Sequence, residues 1–218
     1  MARQVRSEAT RRKILDAAID VFSEVGYAAA SWGTIIERTG MTKGALYHHF
    51  DSKESLASAI IEEGTDTLLL AFRNVSGPSS PALENLIHAT FVVAQLSESD
   101  KMARAAEQLT VALSGFNEAA SRVYTNWLVV TTDEARKAAR EGDIREELAA
   151  ETVAESIVSA TFGIRLLADA TTGDDLIHRL SRMWEVLLPA IAAEASLPYF
   201  REFLAREALR QDQTSSAN

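Results

Sequence analysis

Polar groups suited to binding an anionic polymer cluster at residues 42–49, which read Thr-Lys-Gly-Ala-Leu-Tyr-His-His. Lys43 can donate to a phosphate oxygen or to guanine O6 and N7, and the Thr42 hydroxyl and the His48 ring can reach phosphate. Gly44 has no side chain and therefore permits close approach of another backbone. Because Gly costs about 1 kcal/mol relative to Ala within a helix, its position here favours such an approach. The alternative for Lys43 is a solvated lysine that contacts phosphate only.

Two short helices must position these groups. Ser31 is a suitable N-cap for a helix that ends at Gly40, and Thr42 is a suitable N-cap for a second helix over 43–49. The Gly-Met-Thr turn between them is typical of a helix-turn-helix, whose second helix enters the major groove of DNA. Lys53 begins the next helix, where its ammonium and the free N–H groups could hold a further phosphate.

The rest of the chain also follows helical periodicity, so we expect an all-α protein. The first helix spans 7–25, with Gly26 at its C-terminal end, and the fourth spans 53–73. Further helices are predicted over 82–96, 100–114, 117–140, 147–170, 173–194 and 198–210. We predict a three-helix helix-turn-helix domain at 1–52, a helical ligand-binding and dimerisation bundle at 53–211 and a disordered tail at 212–218.

Composition restricts the function classes. The 218 residues contain no cysteine, which excludes disulfides and thiol catalysis, and no apolar run long enough for a membrane span, so we expect a cytoplasmic protein. The net charge is −9, but residues 1–53 hold eight basic and six acidic side chains, whereas 54–218 hold fourteen and twenty-five. The positive part of the chain thus coincides with the helix-turn-helix. Arg11 belongs to a basic N-terminal segment that either is solvated or adds phosphate contacts.

Two late helices are apolar on more than one side and therefore need two packing partners. One partner can be the chain's own core and the second another copy of the chain, although a fully buried core helix would show the same pattern. A two-fold dimer suits an operator with two half-sites, so we predict a homodimer. The predicted interface residues lie off the main apolar rows: Val158, Phe162, Ile177, Trp184 and Leu188.

The first fifty-odd residues resemble the TetR family of bacterial transcriptional regulators. The matching positions are Thr10-Arg11, Ile14 to Ala18, Phe22, Gly26-Tyr27, Ile35, Gly40, Thr42 to Tyr47, His49-Phe50, Lys53-Glu54 and Leu56. The resemblance implies a homodimeric repressor that binds a double-stranded DNA operator and is released by a small molecule. It also implies that Tyr47 contacts a phosphate or a thymine methyl, and that Ser31 lies where helix two meets the DNA backbone. Trp32 departs from the expected small or aliphatic residue; it could cover the core or pack on a sugar.

Within that family the chain is most similar to the γ-butyrolactone autoregulator receptors, through MARQ, TKGALY, Trp127 and Met183-Trp184. That similarity implies control of secondary metabolism and a pocket in which Trp127 packs on a lactone. Val123 and Val130 share its helix, and Thr161 could bond the ligand or the carbonyl one turn earlier in its own helix. Gly64 replaces a frequent Gln, which removes a polar contact and could enlarge the cavity. The ligand is then a butyrolactone, a butenolide or a furan, or the chain is a receptor homologue whose altered pocket has lost its native inducer.

The residues leave three rival functions to compare with DNA binding. An enzyme would need paired carboxylates, a nucleophile with its base or a metal set, and the four histidines carry no such signature, so we expect no enzyme, cofactor or metal. A scaffold protein with a vestigial DNA-binding head is the second. The third is a TetR-type xenobiotic sensor that controls an efflux pump.

Overall fold

The computed structural model describes residues 2–75, 77, 80–171 and 176–215, with the side chains of 2–4 and 211–215 left aside. Within these ranges the chain forms ten helices. They are α1 (Ala2–Ala29), α2 (Trp32–Thr39), α3 (Lys43–Tyr47), α4 (Lys53–Val75), α5 (Ala82–Ser99), α6 (Lys101–Leu113), α7 (Glu118–Glu141), α8 (Ala150–Ala170), α9 (Leu176–Ile191) and α10 (Leu197–Ser215). The all-α prediction is confirmed.

Capping residues set the limits of the first three helices. Gly26 interrupts α1 with φ 77° and ψ 157°, a conformation that glycine adopts readily. The Ser31 hydroxyl accepts the Thr34 N–H at 3.0 Å, and Gly40 ends α2 in the left-handed region with φ 64°. The Thr42 hydroxyl caps α3 by accepting the Ala45 N–H at 3.3 Å. These predicted caps are confirmed, but α3 ends at Tyr47 rather than at residue 49.

The chain divides into two compact units, residues 1–68 with 97–124 and residues 69–96 with 125–218. In the first unit, α1 packs against α2 and α6. Its core contains fully buried aliphatic side chains from each of the first four helices, including Ile14, Leu15, Ile35, Leu46 and Leu56. The units differ from the predicted domains because the first part of α4 and all of α6 belong with the helix-turn-helix.

Gly64 determines how closely α4 approaches α6 within the first unit. A Cβ atom built on Gly64 would lie 2.4 Å from the Ala106 Cβ and 2.6 Å from the Met102 carbonyl oxygen. Both distances are too short for real contacts, and a backbone oxygen cannot swing aside. The glycine therefore permits close helix packing. This corrects the expectation that its missing side chain leaves room for a ligand.

In the second unit, α9 packs against both α8 and α10. Trp184 is fully buried, and its Nε1 donates to the Thr90 hydroxyl at 2.9 Å, which in turn donates to the Ile87 carbonyl at 2.7 Å. The hydrogen-bond donor of the Trp184 indole therefore has its partner within the same chain. Glu207 of α10 is likewise buried, and the His88 ring of α5 meets its carboxylate at 2.8 Å.

Burial within the chain corrects the predicted dimer interface. Trp184 and Leu188 are fully buried by their own chain, and Ile177 and Val158 are buried as well; of the five only Phe162 retains intermediate exposure. The second packing side of α9 is met by α10 of the same chain, so Ile177, Trp184 and Leu188 offer almost no area to a partner. The tail predicted at 212–218 conflicts with α10 at residues 212–215, because that helix continues to Ser215; residues 216–218 lie outside the described ranges.

No helix in the described ranges is both long and apolar enough to cross a membrane.

Adding one methyl group at Gly64 should destabilise the protein. Alanine is the better helix former, but Gly64→Ala forces its Cβ into α6, and overpacking of this kind costs about 1–3 kcal/mol. We expect a lower urea midpoint with an unchanged slope. Gly33→Ala is the matched control, because its Cβ would meet only the Ser31 hydroxyl at 3.7 Å. Equal stability of the two variants would contradict the close packing of α4 on α6.

Candidate nucleic-acid interface

Lys43, Gly44 and Tyr47 lie on the exposed part of α3, whose buried side is fixed by Leu46. A residue four positions on lies on the same face of a helix, so Lys43 and Tyr47 point the same way. The Lys43 ammonium lies 5.7 Å from the centre of the Tyr47 ring, within cation–π range. Tyr47 is 44% exposed, a high value for an aromatic side chain. The face thus combines a cation, an aromatic hydroxyl and an uncovered stretch of backbone.

The surroundings of Gly44 are empty. A Cβ atom at this position would meet no heavy atom within 4 Å, and the φ angle of Gly44 is not in the left-handed region. Neither packing nor backbone conformation within the protein therefore requires glycine here. The helix-propensity cost of Gly44 is consistent with a requirement imposed from outside the chain.

Ser31, Thr42 and His48 surround this face. Ser31 and Thr42 are exposed, and their hydroxyls already accept backbone N–H groups as caps. The Thr42 hydroxyl keeps its own proton and can still donate to phosphate. The Ser31 hydroxyl also lies 2.8 Å from the Thr34 hydroxyl, and it can donate to phosphate when it is the acceptor of that pair. The exposed His48 ring lies 5.4 Å from that of His49 in an edge arrangement. Among the described residues, no group of three or more His, Cys, Asp or Glu side chains could hold a metal ion.

Lys53 does not present its ammonium to a ligand as predicted. Its Nζ donates to the Tyr27 carbonyl at 2.8 Å and the Ala30 carbonyl at 2.9 Å, and it lies 4.4 Å from the centre of the Tyr27 ring. Burial of that ring, together with the charge of Glu54, raises the pKa of Tyr27, which stays neutral at pH 7. Lys53 therefore fastens the C-terminal end of α1 to the start of α4, which corrects the predicted phosphate role.

Arg11 is also occupied within the first unit. Its guanidinium pairs with Glu63 of α4, lies 3.9 Å from Glu8 and stands 5.6 Å from the centre of the Phe50 ring. The side chain is 32% exposed, so these contacts, rather than solvent, take most of its surface. The prediction of a phosphate-binding Arg11 gives way to an ion pair that joins α1 to α4.

The Trp32–Tyr47 contact was not foreseen from the sequence. The two ring centres are 5.5 Å apart, with an interplanar angle of 57°, and they connect the first residue of α2 to the exposed face of α3. The only sequence signal was the departure of Trp32 from the small or aliphatic residue expected there. That signal marks the position without identifying its partner.

The residues predicted to bind a ligand do not form one cluster within a unit. Trp127, Val130 and Thr161 belong to the second unit, whereas Val123 and Gly64 are buried in the first. The half-buried Trp127 ring meets Phe72 edge-on, with ring centres 5.7 Å apart. Thr161 donates to the Ile157 carbonyl at 2.8 Å, one turn earlier in its own helix. The Ile157 carbonyl was one of the two partners expected for Thr161. The Thr161 hydroxyl oxygen can still accept a hydrogen bond.

Two family models match this chain. The family model described as "Bacterial regulatory proteins, tetR family" matches residues 14–60, and "Tetracyclin repressor-like, C-terminal domain" matches 80–193. The A-factor receptor protein of Streptomyces griseus is 33% identical over 193 residues, which are 88% of this chain and 67% of that protein.

Solved structures give the same result. A crystal structure of a gamma-butyrolactone receptor (ArpA-like protein) is 28% identical, with TM-score 0.76 and coverage of 94% of this chain and 99% of that one. CprB from Streptomyces coelicolor, in complex with its biological operator sequence, is 29% identical, with TM-score 0.75 and the same two coverages.

We predict that Lys53 contributes to stability rather than to DNA binding. Lys53→Met should lower the free energy of unfolding by about 1–3 kcal/mol, because it removes a charged donor from two carbonyls. Lys13→Met, at an exposed lysine of α1, is the matched control for loss of charge and should change stability little. Urea unfolding measures both variants. A fully stable Lys53→Met protein with a shallower salt dependence of DNA binding would instead restore the phosphate role.

The N-terminal match, the C-terminal match over more than half of the chain and the similarity to the A-factor receptor lead to one assignment: this chain belongs to the TetR family of transcriptional repressors and is close to the γ-butyrolactone receptors.

Proposed function

We propose that this chain is a homodimeric repressor that binds a pseudo-palindromic operator and releases it on binding a γ-butyrolactone-like signal, thereby controlling secondary metabolism. The observation that carries the proposal is the exposed face of α3, where Lys43 and Tyr47 flank a glycine with empty surroundings. Similarity to CprB, which was solved with its operator, supports the DNA-binding half of the proposal, and similarity to the A-factor receptor supports the ligand-binding half.

In the proposed complex, α3 enters the major groove. Lys43 donates to a guanine edge, Tyr47 contacts a phosphate or a thymine methyl, and Gly44 allows the α3 backbone to approach the duplex. Ser31, Thr42 and His48 donate to flanking phosphates. Since Arg11 and Lys53 are held within the protein, two of the eight basic side chains of residues 1–53 contribute less to phosphate binding, and the salt dependence should be shallower than that charge count suggests.

Dimerisation in this proposal uses exposed apolar side chains of α8 and α9. Leu166 and Leu167 near the end of α8 are 55% and 54% exposed, and Val186 of α9 is 74% exposed. Together with the half-buried Phe162, they replace the buried residues that the sequence suggested. Covering such side chains with a second copy removes apolar area from water, and a two-fold pair places two heads on two half-sites.

Release in this proposal passes through α4. Phe72, the ring partner of Trp127, and Glu63, the ion-pair partner of Arg11, both belong to that helix. A ligand that packs on Trp127 and favours a different α4 position would disturb the tie between α4 and α1. The ligand can shift the equilibrium only by its differential affinity for the two states.

The DNA half of the proposal is tested by Gly44→Leu. The empty surroundings should accept leucine with stability unchanged or raised by up to about 1 kcal/mol, whereas the added side chain obstructs the duplex and should weaken binding at least about tenfold. Gly115→Leu is the control, because that glycine also has no neighbour within 4 Å of its Cβ position. Fluorescence polarisation with a duplex selected by the wild type from a random pool measures affinity. Unchanged affinity in Gly44→Leu would remove α3 from the interface.

The ligand half is tested by Trp127→Ala. This variant should bind the selected duplex like the wild type but require a roughly 30-fold higher concentration of a synthetic γ-butyrolactone for release, since truncating an aromatic anchor costs about 2 kcal/mol. Val129→Ala, at an exposed position two residues along the same helix, should be released normally. A folded, dimeric Trp127→Ala protein that binds no DNA, or one released like the wild type, would contradict the assigned role.

A further inference from the structure

We infer that Trp32 is a positioning residue for base discrimination: its ring holds Tyr47, and through Tyr47 it holds Lys43. The inference rests on the proposed function, because it gives Tyr47 and Lys43 their meaning as DNA-reading groups. The inference adds a residue outside α3 that determines how strongly the protein distinguishes one duplex sequence from another.

Trp32 is the first residue of α2, directly after the Ser31 cap, and is half-buried. Its ring centre lies 5.5 Å from that of Tyr47, in the tilted arrangement that aromatic pairs favour. The Ser31 cap fixes the start of α2, so the position of Trp32 is set independently of α3. The Tyr47 ring of α3 is thus supported by a side chain of a different helix, α2.

The indole nitrogen shows which property of Trp32 is used. Nε1 is shielded from solvent, and no acceptor among the described residues bonds to it. A buried donor without a partner is destabilising, and indole N–H groups in protein interiors usually find one. The side chain therefore contributes ring surface rather than a hydrogen bond. Phenylalanine should be able to do the same work, and leucine should not.

The contact extends from Tyr47 to Lys43. The Lys43 ammonium lies 5.7 Å from the centre of the Tyr47 ring, one turn earlier on the same face. A lysine side chain alone samples many rotamers, and ordering it on a base edge is entropically costly. A fixed Tyr47 ring gives the ammonium a preferred site before DNA arrives. Trp32, Tyr47 and Lys43 thus form a three-membered series, which we call the aromatic support.

Loss of the aromatic support should affect sequence discrimination more than general DNA affinity. Phosphate attraction depends on charge and tolerates a mobile lysine, whereas donation to a base edge depends on direction. Trp32 carries no charge, so its replacement leaves the number of phosphate contacts unchanged. The slope of log affinity against log salt concentration should therefore stay constant while the ratio of specific to non-specific affinity falls.

The experiment is a double-mutant cycle on Trp32 and Tyr47. The probes are the duplex enriched by the wild type from a random-sequence pool and the unselected pool itself, both measured at several salt concentrations. We expect Trp32→Leu to reduce the affinity ratio roughly three- to tenfold with an unchanged salt slope, and Trp32→Phe to retain it. Tyr47→Ala should lower the ratio as well, and adding Trp32→Leu to Tyr47→Ala should cause little further loss, because Trp32 acts through Tyr47.

The outcomes separate the inference from the proposed function. If the wild type enriches no sequence from the pool, the proposed function fails. If it does, but Trp32→Leu keeps the wild-type ratio or loses the same factor in the Tyr47→Ala background, the positioning role is overturned. A loss in Trp32→Phe equal to that in Trp32→Leu would assign the effect to the indole N–H and overturn it too. Circular dichroism identifies any variant that fails to fold; if Trp32→Leu does, Trp32→Met, which also lacks the ring, replaces it in the cycle with the same expected loss.

Discussion

The length of α3 is the constraint on which the rest of this molecule depends. Five residues, Lys43–Tyr47, are far too few to be helical in water without tertiary support. The Thr42 cap, the buried Leu46 side chain and the ring contact between Trp32 of α2 and Tyr47 supply that support. The exposed face of α3 can therefore carry groups chosen for an external partner, including a glycine that weakens the helix. The other helices of the first unit therefore serve to stabilise and position one short helix.

Charged side chains of the first unit serve two separate purposes. Arg11 and Lys53 fasten α1 to α4, one through Glu63 and the other through the carbonyls of Tyr27 and Ala30. Lys43 instead stays exposed against the Tyr47 ring. A half-buried lysine with two of its three N–H donors on carbonyls is a poorer partner for a phosphate than an exposed one. The positive balance of residues 1–53 thus overstates the charge available to DNA, and the recognition face must rely more on shape and direction.

Local chemistry explains what the sequence could predict. Caps and turns at Ser31, Gly40 and Thr42 depend on neighbouring residues only, and the structure has them where we expected. Partners distant in sequence could not be predicted: Lys53 bonds carbonyls 23 and 26 residues away, and Gly64 is required by the position of α6. Periodicity showed that α9 needs two partners, but it could not show that α10 of the same chain is one of them. Ring contacts such as that between Trp32 and Tyr47 could not be predicted for the same reason.

The central claim is that α3 reads the major groove from two symmetric heads, and methylation interference tests it directly. Dimethyl sulfate methylates guanine N7 in the major groove and adenine N3 in the minor groove. On the duplex selected by the wild type, we expect guanine N7 methylation to prevent binding at two symmetric half-sites, about one helical turn or a multiple of it apart. Interference confined to adenine N3, or to a single unsymmetrical site, would contradict the account.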